Sequence, residues 1–380
     1  MIHPDDVAAW IAQVRQQPEA APSIIEALAE RLIELDKRNE ALRDELLRLR
    51  RGGETTTGEG RVAALARRVQ TLERQLERSL ESGVLDEARS LLVLTLDGRG
   101  ARLPLPDATA RPGRDGRALV AGHLRPRFLL VAPEAGELLL LSDKGRAQRL
   151  SVADVDLAEA PVNYLSLLPS LALDLDESLS VAALLPASFV QMALVTRKGY
   201  ARSFRRAEVD SLVERNLPLH SSPVAGDYPA FVLFSAGDGE LLTVTRDGRG
   251  VRFPERALGV QAQPAIKLER GDVVVGATVV DDETVVAMIG ANGFAARREM
   301  SGFGAYPTAG HRGKVFTRIE ELIAVAPVPE TGTVWLLTAA GQLLVVPAVQ
   351  APVGPGASRG KTIVKPGEDR LVALATSTGA

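Results

Sequence analysis

The sequence predicts an all-β body of six repeated units, preceded by an α-helical coiled-coil region. Two observations carry this reading. From residue 88 onward, Leu- and Val-rich runs alternate with glycine turns, and aligning the turns leaves Gly98, Gly145, Gly199, Gly248, Gly293 and Gly341 in register, separated by 47, 54, 49, 45 and 48 residues. A period of this size with several short strands per unit marks radial blades or a stacked solenoid. Upstream of residue 88, leucines recur instead at spacings of three and four, the seam of a coiled coil.

The N-terminal elements follow in order. Residues 1–21 read as a short helical segment; its start, MIHPDDVAAWIAQ, carries acidic residues where a signal peptide needs basic ones. No apolar run reaches the roughly 18 residues of a membrane span, so the expectation is a soluble, cytoplasmic protein with no membrane partner. Ser23 and Glu26 form a capping box just after Pro22 and open a coiled coil over 22–50. Its seam is Ile25, Leu28, Leu32, Leu35, Asn39, Leu42, Leu46 and Leu49, and a single Asn at an a position selects register and a two-stranded parallel pairing. RGGETTTGEG (51–60) reads as a flexible linker. A second heptad set over 61–82 places Val62, Val69 and Leu76 at a, with Leu65, Leu72 and Ser79 at d. The two sets differ in phase. A parallel homodimer is expected, with an intramolecular helical hairpin as the alternative.

The repeated body covers residues 88–380. Its core hairpins are LLVLTLDGRGARLP (91–104), LLLLSDKGRAQRLS (138–151), MALVTRKGYARSFR (192–205), LLTVTRDGRGVRFP (241–254), VVAMIGANGFAARRE (285–299) and VWLLTAAGQLLVVP (334–347). Each is an apolar strand, a tight turn whose glycine accepts positive φ, and a return strand. DRLVALATS (369–377) is one further strand without a hairpin, expected to pair near residues 91–96 and join the ends of a ring.

Charge must act here by placement, because residues 88–380 hold 32 Lys/Arg against 31 Asp/Glu. Arg102, Arg149, Arg252 and Arg297 each stand four residues after a turn glycine, and Arg99, Arg146 and Arg249 stand one after it. Equivalent positions on a ring lie on a circle, so the repeat predicts a basic track. In the third unit Arg202 comes one residue early, which puts it on the opposite strand face unless a bulge intervenes. Lys198, Arg205 and Arg206 lie close enough in sequence to compensate. The sixth hairpin has no charge, and its nearest cations are Arg359, Lys361 and Lys365. The competing reading is solvated charge that protects strand edges.

Other chemistries find little support. There is no cysteine, and the four histidines, at 3, 123, 220 and 311, lack metal-ligand spacing, so neither a metal nor a cofactor is expected. GPGASRGKT (354–362) resembles a phosphate loop but has Pro355 where a Walker A motif needs its first glycine. The TIVKPGEDR that follows does not open a helix. Nucleophile–base and paired-carboxylate patterns are also missing, and a nonenzymatic protein is expected.

The segments LLVLTLDGRGARLP, LVTRKGYARSF and LLTVTRDGRGVRFPERAL, with IKLERGDVVVGATVV (266–280), resemble the C-terminal domain of the DNA gyrase A subunit and its topoisomerase IV counterpart. The resemblance covers about residues 88–378. It implies a six-bladed β-pinwheel, a propeller-like disc whose blades exchange strands and whose basic perimeter binds and bends double-stranded DNA without sequence preference. It also implies nucleoid association and, as a partner, a type II topoisomerase.

Two departures qualify it. The gyrase-type box of the form Q-R-R-G-G-K-G is not present; GHRGK (310–314) and ASRGK (357–361) are its nearest remnants, which points to bending in place of chiral wrapping. A coiled coil also stands where the cleavage core would precede the disc. The residues expected on DNA phosphates are Arg99, Arg102, Arg146, Arg149, Arg202, Arg249, Arg252, Arg297, Arg312, Lys314, Arg359 and Lys361, with the GPGASRGKT loop serving the uncharged sixth blade. The alternative is a protein-interaction scaffold or topoisomerase-associated regulator.

Overall fold

A computed structural model describes residues 89–105, 117–168, 171, 173–220 and 224–377. The chain divides between Asp86 and Glu87, and all described residues belong to the second unit. The helical segment over 1–21, the coiled coils over 22–50 and 61–82 and the linker over 51–60 lie outside the described residues.

Leu- and Val-rich runs separated by Gly turns fold into antiparallel hairpins, and each hairpin nucleates one blade. The hairpin strands, in chain order, are Arg89–Leu94 with Arg99–Pro104, Glu137–Ser142 with Ala147–Ser151, Gln191–Thr196 with Tyr200–Arg205, Glu240–Thr245 with Arg249–Pro254, Val285–Gly290 with Phe294–Glu299, and Thr333–Thr338 with Gln342–Pro347. All six turn glycines adopt positive φ. In five blades the residue three before the glycine is a buried Thr or Ser whose hydroxyl accepts the backbone N–H one residue past it, as Thr95 does from Arg99 at 3.1 Å and Thr338 from Gln342 at 3.0 Å. The fifth blade has Gly290 there, and Asn292 Oδ1 takes over, 3.2 Å from the Phe294 N–H.

Runs such as LLVL and LLLL lack polar alternation because both faces of a blade are covered. In the first blade Leu91 and Val93 pack with Trp335 and Leu337 of the sixth, while Leu92 and Leu94 pack with Leu138 and Leu140 of the second. The same division repeats around the ring, and six apolar clusters fill the six spaces between neighbouring blades. Leu91, Leu92 and Leu94 are fully buried, each worth roughly 1.5–3 kcal/mol before ordering costs.

Each blade takes an inner strand from the chain that follows its own hairpin's connector: Phe128–Pro133, Leu179–Leu185, Pro229–Ser235, Val274–Val280, Leu322–Pro327 and Leu371–Ser377. These strands contact one another around the axis. The outermost member of a blade is instead a two-residue strand borrowed from the connector after the next hairpin. Ser166–Leu167 lies on the first blade, Gln263–Pro264 on the third, Lys314–Val315 on the fourth, Lys361–Thr362 on the fifth and Arg117–Ala118 on the sixth. Among the described residues the second blade has no such strand, and the Leu219 N–H meets the Gly145 carbonyl there at 2.8 Å. The connector feeding that blade contains the helix Arg206–Glu214.

This exchange corrects the expected ring closure. Leu371–Ser377 pairs with Thr333–Thr338 of its own, sixth blade and not with residues 91–96. The rule that supplies every other inner strand supplies this one too. The ring joins its ends where Arg117–Ala118 adds to Gln342–Leu343, and where the first and sixth blades share an apolar cluster.

Candidate nucleic-acid interface

The fourfold-repeated arginine proves to be an internal clamp. Four connectors begin with short 3-10 turns, and three of these, Val152–Asp154, Met300–Gly302 and Ala348–Gln350, meet an arginine of the preceding blade. The residue closing each of the three offers its carbonyl to a guanidinium. Arg102 Nε donates to Val155 at 3.4 Å, Arg252 Nη1 to Phe303 at 3.2 Å, and Arg297 Nε to Ala351 at 3.0 Å. Arg149 meets a helix where the others meet a 3-10 turn, and pairs with Asp210 on it.

Arg252 shows why these groups are not free for a phosphate. It is 4% exposed, and it also binds the Met300 carbonyl, Asp282 at 2.8 Å and Glu240. Arg297 is 6% exposed, and Arg102 forms an ion pair with Glu134 at 2.8 Å. Arg252 and Arg297 thus lie inside the disc, where charged donors satisfy carbonyls that would otherwise be desolvated, while Arg102 and Arg149 are half-buried and paired with carboxylates.

The other hairpin arginines are partly engaged. Arg202 sits in a hairpin without a bulge, so it does face away from the Arg102 series; it stacks on Phe204, its Cζ 4.0 Å from the ring centroid, and reaches Glu208 at 3.3 Å. Burial pulls its guanidinium below the usual arginine range, with Glu208 opposing. Arg99 pairs with Asp97 at 3.1 Å. Arg146 is held by Glu177, whose side chain is fully buried, and lies 3.4 Å from Asp174. Arg249 is half-buried, its Nη1 3.4 Å from the Gly313 carbonyl.

The outer edge presents a different set. The two expected remnants, GHRGK and ASRGK, occupy equivalent places on adjacent blades: Lys314 pairs in register with Gly250 on the fourth, and Lys361 with Ala295 on the fifth. The preceding glycine explains the motif. A Cβ on Gly313 would stand 2.7 Å from the Gly250 carbonyl oxygen, and one on Gly360 2.6 Å from that of Ala295, both at positive φ. Only glycine lets the segment press that closely on the hairpin, and the lysine after it is then exposed at the edge.

The loop GPGASRGKT thus runs along the fifth blade, not the sixth as expected: Val353–Gly354 pairs with Arg297–Arg298 and Lys361–Thr362 with Phe294–Ala295. The two loops are tied together, since the Arg318 N–H donates to the Ser358 carbonyl at 2.8 Å and Thr317 Oγ1 donates to it at 3.1 Å. Tyr306 stacks on His311 with ring centroids 4.1 Å apart, and Lys314 Nζ lies 4.8 Å from the Tyr306 centroid. Arg312, Lys314, Arg359 and Lys361 are all exposed, and none has a carboxylate partner among the described residues.

Register adds a residue the sequence reading missed. Arg117 pairs with Leu343 where Lys314 and Lys361 pair on their blades, it is exposed, and it too follows a glycine, Gly116. The uncharged sixth hairpin is thereby supplied with a cation from the connector after the first. The signal was the Gly-Lys/Arg pair itself: Gly313 and Gly360 stand 47 residues apart, nearly the repeat period.

Among the described residues no group of three His, Asp or Glu could hold a metal, and no helix is long and apolar enough to cross a membrane. Residues 239–281, the fourth hairpin through its inner strand, match the family described as DNA gyrase C-terminal domain, beta-propeller. The disc is similar to a structure of the DNA gyrase A C-terminal domain, with a TM-score of 0.61 and 16% identity over 76% of this chain and 99% of that one. It is also similar to the crystal structure of the C-terminal domain of DNA topoisomerase IV, with a TM-score of 0.54 and 18% identity over 76% of this chain and 93% of that one. No curated protein matches the chain. The β-pinwheel fold is thereby established, and what is matched is a C-terminal domain, without a cleavage core.

Proposed function

We propose that the protein is a nonenzymatic, sequence-nonspecific DNA-binding and DNA-bending protein that holds the phosphate backbone at the edge of its disc. One observation carries the reading: Lys314, Lys361 and Arg117 occupy equivalent outer-edge positions on three successive blades, in a fold shared with domains of DNA gyrase and DNA topoisomerase IV. Arg312 and Arg359 flank two of them. Amines and guanidinium groups without carboxylate partners among the described residues suit a polyanion. The seam of Leu28, Leu32, Leu35, Asn39, Leu42, Leu46 and Leu49 would pair two discs, allowing one dimer to hold two duplex segments, and a type II topoisomerase on the same DNA is a natural partner. Such a protein would work at the nucleoid.

The test is a gel-shift titration of linear duplex from 50 to 200 mM salt. Five phosphate contacts give a log–log slope of about −4.5. Affinity that does not change over that range sinks the reading.

A scaffold role for the disc is favoured by a separate feature, the exposed Leu157, Tyr164, Leu167 and Leu175 on the connector of the first blade. A pulldown from which nuclease treatment removes no partner would support it.

A further inference from the structure

The outer edge is electrically polarised. The described part of each connector meets the blade before its own hairpin, so connector charge is one component of the charge at that edge. The connector on the first blade, residues 152–178, holds Asp154, Asp156, Glu159, Asp174, Asp176 and Glu177 and no Lys or Arg, a net of −6. The described residues of the connectors on the second to sixth blades, within 206–228, 255–273, 300–321, 348–370 and 105–127, carry −2, 0, +1, +2 and +3. Connector charge therefore rises from blade to blade and falls by nine at one place, the seam between the sixth and first blades. The hairpins add their own cations, the third most of all, with Arg197, Lys198, Arg202 and Arg205 and no carboxylate.

Pairing sharpens the contrast. On the first two blades five of the six hairpin cations are answered: Arg99 by Asp97, Arg102 by Glu134, Lys144 by Asp176, Arg146 by Glu177 and Arg149 by Asp210. Acidic groups are left over, since Asp154, Asp156 and Glu159 are exposed and have no cation partner among the described residues. On the fourth to sixth blades Arg312, Lys314, Arg359, Lys361 and Arg117 are left over, with the exposed Glu320, Glu321 and Glu368 as acidic groups on the same connectors.

We propose that the duplex occupies only the arc of the fourth, fifth and sixth blades, and that the acidic first-blade connector terminates its path at the seam. The inference rests on the proposed DNA binding. A duplex carries one charge per roughly 1.7 Å of axis, and screening over about 8–10 Å makes each stretch respond to the blade beneath it and not to the disc's net charge. DNA leaving the sixth blade meets uncompensated carboxylates. It departs instead of continuing around the ring, so the path is a limited bend and never a closed turn.

The test uses the full chain, with fluorescence titration of linear duplex giving affinity, salt slope and the number of base pairs occluded per protein. The triple variant Asp154→Asn, Asp156→Asn, Glu159→Gln removes exposed charge without touching the core. It is expected to bind at least about fivefold more tightly, with a steeper salt slope and a longer occluded site. Lys314→Glu with Lys361→Glu is expected to weaken binding at least tenfold, while Arg99→Ala with Arg146→Ala changes it less than twofold. Binding by the wild type with an unchanged site size in the triple variant overturns the terminator and leaves DNA binding standing. Equal losses from the Arg99/Arg146 and Lys314/Lys361 variants overturn the arc. Absence of binding by both wild type and triple variant overturns the DNA reading and this inference with it.

Discussion

Arg252 Nη1 donates to the backbone carbonyl of Met300 at 2.7 Å, fastening the fourth blade to the turn that follows the fifth hairpin. Replacing this arginine strips a charged donor from the Met300 and Phe303 carbonyls inside the protein. Arg252→Leu should cost about 3 kcal/mol of unfolding free energy, read as a fall in the urea midpoint. The salt slope of DNA binding, measured on folded protein, should stay as in the wild type. A loss of slope with unchanged stability would return this residue to the phosphate interface.

Lys314 and Lys361 make the opposite prediction. Both are exposed, so Lys314→Ala and Lys361→Ala should leave the urea midpoint within about 0.5 kcal/mol of wild type. Each should lower the magnitude of the log–log salt slope by about 0.9 and weaken binding alike on unrelated sequences.

Gly341 tests the seam. Its carbonyl accepts the Leu119 and Val120 N–H groups at 2.9 and 3.1 Å, its φ is +80°, and a Cβ there would stand 2.3 Å from the Val120 carbonyl oxygen. Gly341→Ala should therefore destabilise by about 2 kcal/mol or more. Gly356→Ala, where a Cβ meets nothing within 4 Å, is the matched control and should be nearly neutral. Thermal melts of the pair give the comparison.

His220 supplies a pH dependence. It is 9% exposed, and burial holds its imidazole below the ordinary histidine range against the opposing pull of Asp227. The unfolded chain, with a histidine pKa of about 6.5, then takes up the proton first. Stability contributed by the neutral ring is complete above that value and is lost as pH falls toward the depressed folded pKa. The urea midpoint should drop between pH 7.5 and 5.5, and His220→Gln should flatten that drop.

The fold was readable because the turn glycines recur after Leu- and Val-rich runs, a local pattern independent of the rest of the chain. The inner strand Leu371–Ser377 was misassigned because its partner is set by the rule of the ring and not by neighbouring residues. The arginines misled for a physical reason. In a sheet with one wet face, a charge recurring at one position marks the surface, but a blade buries both faces, and nothing near Arg252 in sequence announces the carbonyls 48 and 51 residues away. Lys314 and Lys361 were singled out through a family motif, whereas Arg117 needed the register with Leu343, which joins residues at opposite ends of the disc's sequence.

The borrowed outer strands also bear on how such a chain can be lengthened or shortened. A repeat excised from the sequence carries its own hairpin, its connector and its inner strand, yet that connector edges a different blade. Gain or loss of one whole period keeps every lender beside a borrower, so copying errors in the gene can change blade number in single steps. Removing one blade as it stands in space would instead leave one hairpin without an edge and one edge without a hairpin. The heritable module and the spatial module are offset by one position around the disc.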